Sequence, residues 1–186
     1  MRCFIAICLP DMLKRGLAEL QDTLKAPGMQ VGWARPDGIH LTLKFLGEVE
    51  EKDVPRLSGA LSRAVDGVAP FVATLRGVGC FPGVSTPRVI WVGVEEPEGI
   101  LQRLQQQIEK SFEDMGFPAE NRSFKPHVTL GRVRSPIHRE TLIRQVEKNK
   151  DLDLGSFEVR EVRVMQSILK PEGAVHVTLA SVVLKG

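Results

Sequence analysis

The 186-residue sequence predicts an α+β fold of two similar halves, and three observations carry the prediction. The order strand, helix, loop, His-x-Thr strand, helix, strand runs twice along the chain. The two His-x-Thr segments, His40-Leu41-Thr42-Leu43 and His127-Val128-Thr129-Leu130, lie 87 positions apart, close to half the length. Apolar strands open both halves, at 2–9 and 88–94, with nearly the same offset of 86. Motif, order and spacing together read as an internal duplication with diverged sequence, one domain of two lobes over 1–186.

Residues 2–9 form an apolar run of strand length, and Pro10-Asp11 opens a helix with Leu13, Leu17, Leu20 and Leu24 at helical spacing and Asp11 as its expected N-cap. A loop over 26–38, rich in turn residues, leads into the first motif strand, 39–46, which Gly47 ends. The next helix, 51–65, turns Val54, Leu57, Leu61 and Ala64 inward, and Pro55 is tolerated in its first turn. A strand at 70–78 closes the first half. The second half repeats the scheme. Strand 88–94 leads to helix 98–112 with Leu101, Leu104, Ile108 and Phe112 inward, then a loop over 116–126 and the motif strand 127–134. Helix 139–148 and one strand near 156–169 follow, and Lys170-Pro171-Glu172-Gly173 turns the chain into a last strand, 175–184.

Composition bounds the function. A net charge of +2 is too small for wholesale electrostatic capture of nucleic acid, so affinity for phosphate has to come from local clustering. Arg122, Lys125, Arg132, Arg134 and Arg139 supply such a cluster around the second motif, with no acidic residue between Asn121 and Arg139; taken alone, the run reads as a solvated face. Cys3, Cys8 and Cys80 are odd in number and show no Cys-x-x-Cys, which suggests neither a disulfide framework nor a zinc knuckle. The first residues lack a signal-peptide core and no run approaches the length of a membrane span. A reduced, soluble, cytoplasmic protein with no membrane partner is expected, working as a monomer.

The chemistry follows from strand geometry. Side chains at i and i+2 share one face, so each motif sets an imidazole beside a hydroxyl while the leucine or valine between them points to the other face. An imidazole titrates near pH 6.5, so of two facing rings one can be neutral while the other holds its proton. That pair supplies a base to deprotonate water and an acid to protonate a leaving oxygen, with Thr42 and Thr129 donating to the non-bridging oxygens of a phosphodiester. Zinc is disfavoured, since threonine is a poor ligand and no third His, Cys or carboxylate stands at a recognisable spacing. No Gly-x-Ser-x-Gly elbow and no Gly-rich phosphate loop occur, so no metal and no cofactor are expected. His176-Val177-Thr178-Leu179 is a third copy, but it follows a hairpin turn outside the repeated order and is assigned to structure, without a direct role, the alternative being a neighbouring position near the pocket rim. His138 reads as a solvated surface histidine.

The flanks Ile39-His40-Leu41-Thr42-Leu43-Lys44-Phe45-Leu46-Gly47 and Phe124-Lys125-Pro126-His127-Val128-Thr129-Leu130-Gly131-Arg132 resemble the two-histidine phosphoesterases, and among them the RNA 2′,3′-cyclic phosphodiesterases once called 2′-5′ RNA ligases. The likeness extends over the whole chain. It implies two pseudo-symmetric lobes with antiparallel sheets around a central cleft, helices outside, and metal-independent opening of an RNA 2′,3′-cyclic phosphate to a 2′-phosphate. It further implies His40 as proton donor, His127 as proton acceptor, 2′-5′ ligation as the reverse-type activity, and RNA with a cyclic phosphate end as partner. Arg132 matches an arginine of the family, but strict alternation turns it away from His127, so a bulge at Gly131 is required for it to reach phosphate. Where the family usually carries tyrosine in the last strand this chain has His176, and it has no tyrosine at all. Base stacking then falls to Phe45, Phe81 or Phe124, residues for which core packing is the commoner role, and Lys125 completes the candidate substrate contacts. The same residues would serve a phosphodiesterase that trims RNA 3′ ends, and a non-catalytic RNA- or nucleotide-binding module would keep the pocket without needing a matched acid and base.

Overall fold

The fold was taken from a computed structural model, which describes residues 1–135 and 139–186. The described residues form nine strands and four α-helices in the order β1 (Arg2–Cys8), α1 (Asp11–Leu24), β2 (Val31–Trp33), β3 (His40–Glu48), α2 (Val54–Ala64), β4 (Phe71–Phe81), β5 (Val89–Glu95), α3 (Ile100–Glu113), β6 (His127–Val133), α4 (Arg139–Lys148), β7 (Asp153–Val159), β8 (Glu161–Lys170) and β9 (Gly173–Val183). All the strands join one antiparallel sheet of order β7-β4-β5-β6-β3-β1-β8-β9, with β2 paired to β6. The two motif strands are neighbours at its centre. The register there is a single pair, Leu41 opposite Val128, so β7-β4-β5-β6 and β3-β1-β8-β9 meet along a narrow seam, with β4 of the first half among second-half strands and β8 and β9 beside β1 of the first.

One large core explains the layering. Leu13, Leu17, Leu20 and Leu24 of α1 and Leu101, Leu104, Ile108 and Phe112 of α3 are buried as their spacing requires. They pack with Leu41, Leu43, Val128 and Leu130 in one cluster, which places helices on one face of the sheet and leaves the histidines on the other. On that second face lies a small separate cluster, Phe4, Ala6 and Met165 with Cys8 against it.

The structure departs from the expected elements in three places. The segment expected as one strand near 156–169 is two strands, β7 and β8, parted at Arg160 and pairing with β4 and β1 at opposite ends of the sheet. Continuous β propensity hides such a break because pairing partners, not propensity, decide it. The expected loop over 26–38 contains β2, whose Trp33 lies opposite Gly131. Asp11 is the first helical residue rather than the cap, and Pro10 holds the N-cap position.

Candidate active site

His40 begins β3 and His127 begins β6, and each ring is held in the same way. The Nδ1 of His40 lies 2.7 Å from the carbonyl of Gly38, and the Nδ1 of His127 lies 2.6 Å from that of Lys125. A carbonyl only accepts, so both Nδ1 atoms carry the proton, and in the neutral rings both Nε2 atoms are left as acceptors. Because Leu41 faces Val128 in an antiparallel pair, His40 lies across from Thr129 and Thr42 across from His127. Leu41 and Val128 are buried on the helix side, so the four motif side chains form a square on the opposite face.

Both strands then break their alternation at the same place. Against β1, Ala6 pairs with Thr42 and Ile5 with Lys44, skipping Leu43; against β5, Trp91 pairs with Thr129 and Ile90 with Gly131, skipping Leu130. An extra residue in one strand flips every side chain beyond it. Phe45 and Arg132, each five residues after its histidine, therefore share the face of the histidines, and the bulge required for Arg132 is present. Gly131 permits it: a Cβ there would stand 2.8 Å from Val31 Cγ1 and 3.2 Å from the Gly32 carbonyl.

The surroundings of the two rings differ. Phe4 stacks on His40 at 4.6 Å between centroids, and His176 meets it edge-on at 4.8 Å and 86°. Burial takes the His40 pKa down to about 4, with the neighbouring His176 adding to the shift and the Gly38 hydrogen bond opposing it. The free protein thus presents His40 neutral at pH 7. His127 meets Phe81 edge-on at 4.8 Å and lies 6.4 Å from Trp91. A cleft of about 960 Å³ opens beside His40, lined among others by Lys14, Arg35, Arg163, Met165, His176 and Thr178; His127 is not in its wall.

The other candidates are placed as follows. His176 takes the position near the pocket rim: with Thr178, whose hydroxyl donates to Met165 Sδ at 3.4 Å, it faces the cleft and touches His40. Its burial lowers its own pKa, with Asp37 pulling the other way. Ladder register, invisible in a short motif, brings it there. Phe45 is 63% exposed and Phe81 lies against His127, so neither is a core residue, whereas Phe124 packs against the core. Lys125 is exposed, with its ammonium 6.0 Å from the Phe81 ring, and its carbonyl holds His127. His138 lies outside the described residues. Among those described, no three His, Cys, Asp or Glu side chains gather in a way that could hold a metal ion.

Comparison with known proteins fits this geometry. The model of the 2′-5′ RNA ligase superfamily matches residues 9–170. The chain belongs to that superfamily. A Methanothermobacter thermautotrophicus protein named RNA 2′,3′-cyclic phosphodiesterase is 37% identical over 94% of each chain, and a Thermus thermophilus protein of the same name is 34% identical over 100% of this chain and 91% of its own. A crystal structure from Thermus thermophilus superposes with a TM-score of 0.83 at 32% identity, covering 100% of this chain and 99% of the other. Escherichia coli LigT, solved with 3′-AMP, gives 0.80 at 25% identity and covers 100% and 98%. The superfamily fold, two pseudo-symmetric halves of antiparallel sheet with helices outside, is therefore the fold of this chain. No helix among the described residues is long and apolar enough to cross a membrane.

Proposed function

We propose that this protein is an RNA 2′,3′-cyclic phosphodiesterase, and that its two halves act as one catalytic unit. The observation that carries the reading is the square of His40, Thr42, His127 and Thr129, with both Nδ1 atoms tied to backbone carbonyls, which leaves both Nε2 atoms to act on a substrate. The relatives named for this activity at up to 37% identity support it.

In the proposed reaction the Nε2 of His127 takes a proton from water as its oxygen attacks phosphorus. The bond from phosphorus to the 3′ oxygen breaks, and the Nε2 of His40 gives that oxygen a proton, leaving a 2′-phosphate. Thr42, Thr129 and Arg132 donate to the non-bridging oxygens where charge gathers. His40 is neutral when free, so its role as acid requires the anionic phosphate to draw a proton onto the ring, which a negative charge beside Nε2 does. Acid, base and charge stabilisation all come from the chain, so the reaction is read as independent of metal. With an RNA hydroxyl in place of water, the reverse-type step forms a 2′-5′ link. Phe45, exposed on the same face, is a base-stacking candidate, and Lys125 a phosphate contact. The working form is read as a cytoplasmic monomer acting on RNA ends.

The test is incubation of a 2′,3′-cyclic nucleotide with the protein in the presence of a chelator. A 2′-phosphate product is expected, and His40→Ala and His127→Ala should each lower turnover by at least the 100-fold typical of losing an acid or base. No turnover, or a 3′-phosphate as sole product, would sink the reading.

A further inference from the structure

Two buried glutamines have no part in the reaction as described. Gln21 of α1 is 2% exposed and Gln105 of α3 is 6% exposed. Burying an amide is unfavourable unless it is hydrogen-bonded, so the partners of these two side chains carry the explanation. The Nε2 of Gln21 donates to the Leu130 carbonyl at 2.9 Å and to the Ala34 carbonyl at 2.8 Å. The Nε2 of Gln105 donates to the Leu43 carbonyl at 3.4 Å and to Glu109 Oε1 at 3.2 Å.

Leu43 and Leu130 are equivalent positions. Each is the residue skipped in the register of its motif strand, three places after the histidine. The glutamines are equivalent too, each following the buried Leu20 or Leu104 and preceding Leu24 or Ile108 by three. The contacts run crosswise: the first half's helix holds the second half's bulge, and the second half's helix holds the first half's. The same side-chain type on the same atom of both bulges, reached over 109 and 62 residues of chain, is not explained by core filling, for which leucine would serve.

We propose that Gln21 and Gln105 are positioning residues that pin the two bulges from the opposite half, and so turn Arg132 and Phe45 onto the face of the histidines. The proposal rests on the reading of that face as the substrate site. The Leu130 carbonyl also accepts from the Ala34 amide at 2.8 Å, so it keeps a partner when the glutamine donor is removed, while the Ala34 carbonyl loses its contact with Gln21.

The test uses Gln21→Met and Gln105→Met, which keep the volume and remove the donor, with Gln→Leu replacing either one that does not fold. Each is combined with Arg132→Ala and with Phe45→Ala and assayed below its own melting temperature. Two readouts are taken: kcat/KM on a 2′,3′-cyclic nucleotide, and the affinity for a nucleoside 2′-phosphate by calorimetry. Gln21→Met should lower both at least fivefold in the parent and less than twofold in Arg132→Ala; Gln105→Met should do so in the parent and not in Phe45→Ala. In the swapped combinations the losses should add. Losses that add in the matched pairs, or single variants within twofold of the parent, overturn the proposal. A parent that binds the 2′-phosphate but turns over no cyclic nucleotide refutes the hydrolytic reading instead, and the affinity arm still decides the role of the glutamines.

Discussion

At the scale of single residues, the environment of the two histidines separates them although their letters match. His40 is packed between Phe4 and His176, while Phe81 and Trp91 stand against His127. Since the His40 pKa is lower in the folded chain than the ordinary 6.5, its contribution to stability is complete above that value and is lost as pH falls toward about 4. By NMR titration, inorganic phosphate should raise the His40 pKa, and His176→Ala should raise it in the free protein by admitting water and removing a competing ring. A His40 pKa that stays near 4 with phosphate bound would assign it the role of base instead. The motif histidines and threonines were legible in the sequence because spacing alone fixes their common face. His176 was not, because its approach to His40 is made by the pairing of β8 with β1 and of β9 with β8.

At the scale of elements, the bulges decide which side chains accompany the histidines. Gly131 is the tightest point of the second one, where Val31 and the Gly32 backbone of β2 lie against it. Gly131→Ala must push β2 aside or undo the bulge, so it should lower kcat/KM toward the level of Arg132→Ala, and the two changes should not add. Steady-state kinetics of the single and double variants checks this. Helix faces were readable from periodicity, and the inward leucines are where that reading puts them. The division of residues 153–170 into two strands was not, since both pieces have strand propensity and only their partners differ.

At the scale of the whole molecule, a helix of one sequence half is also tied to a strand of the other by charge. Lys44, wholly buried after the bulge of β3, meets Glu109 of α3 at 2.6 Å and the Pro118 carbonyl at 2.8 Å. A buried charge without its partner is costly, so Glu109→Leu should destabilise the fold by about 3 kcal/mol. Denaturant melts read this directly, and the matched Lys44→Met/Glu109→Leu double variant should recover most of the loss.

By itself the sequence determined the α+β order in two halves, the faces of the helices, and the shared face of each His-x-Thr pair. All of these rest on local periods of two and 3.6 residues, or on spacing that repeats. Only the tertiary structure decided the continuity of the sheet, the place of His176, the emergence of Phe45 and Arg132 beside the histidines, and the burial of Gln21, Gln105 and Lys44. Each of those depends on partners distant in the chain, and a hydrogen bond reached over 109 residues leaves no mark in the local pattern.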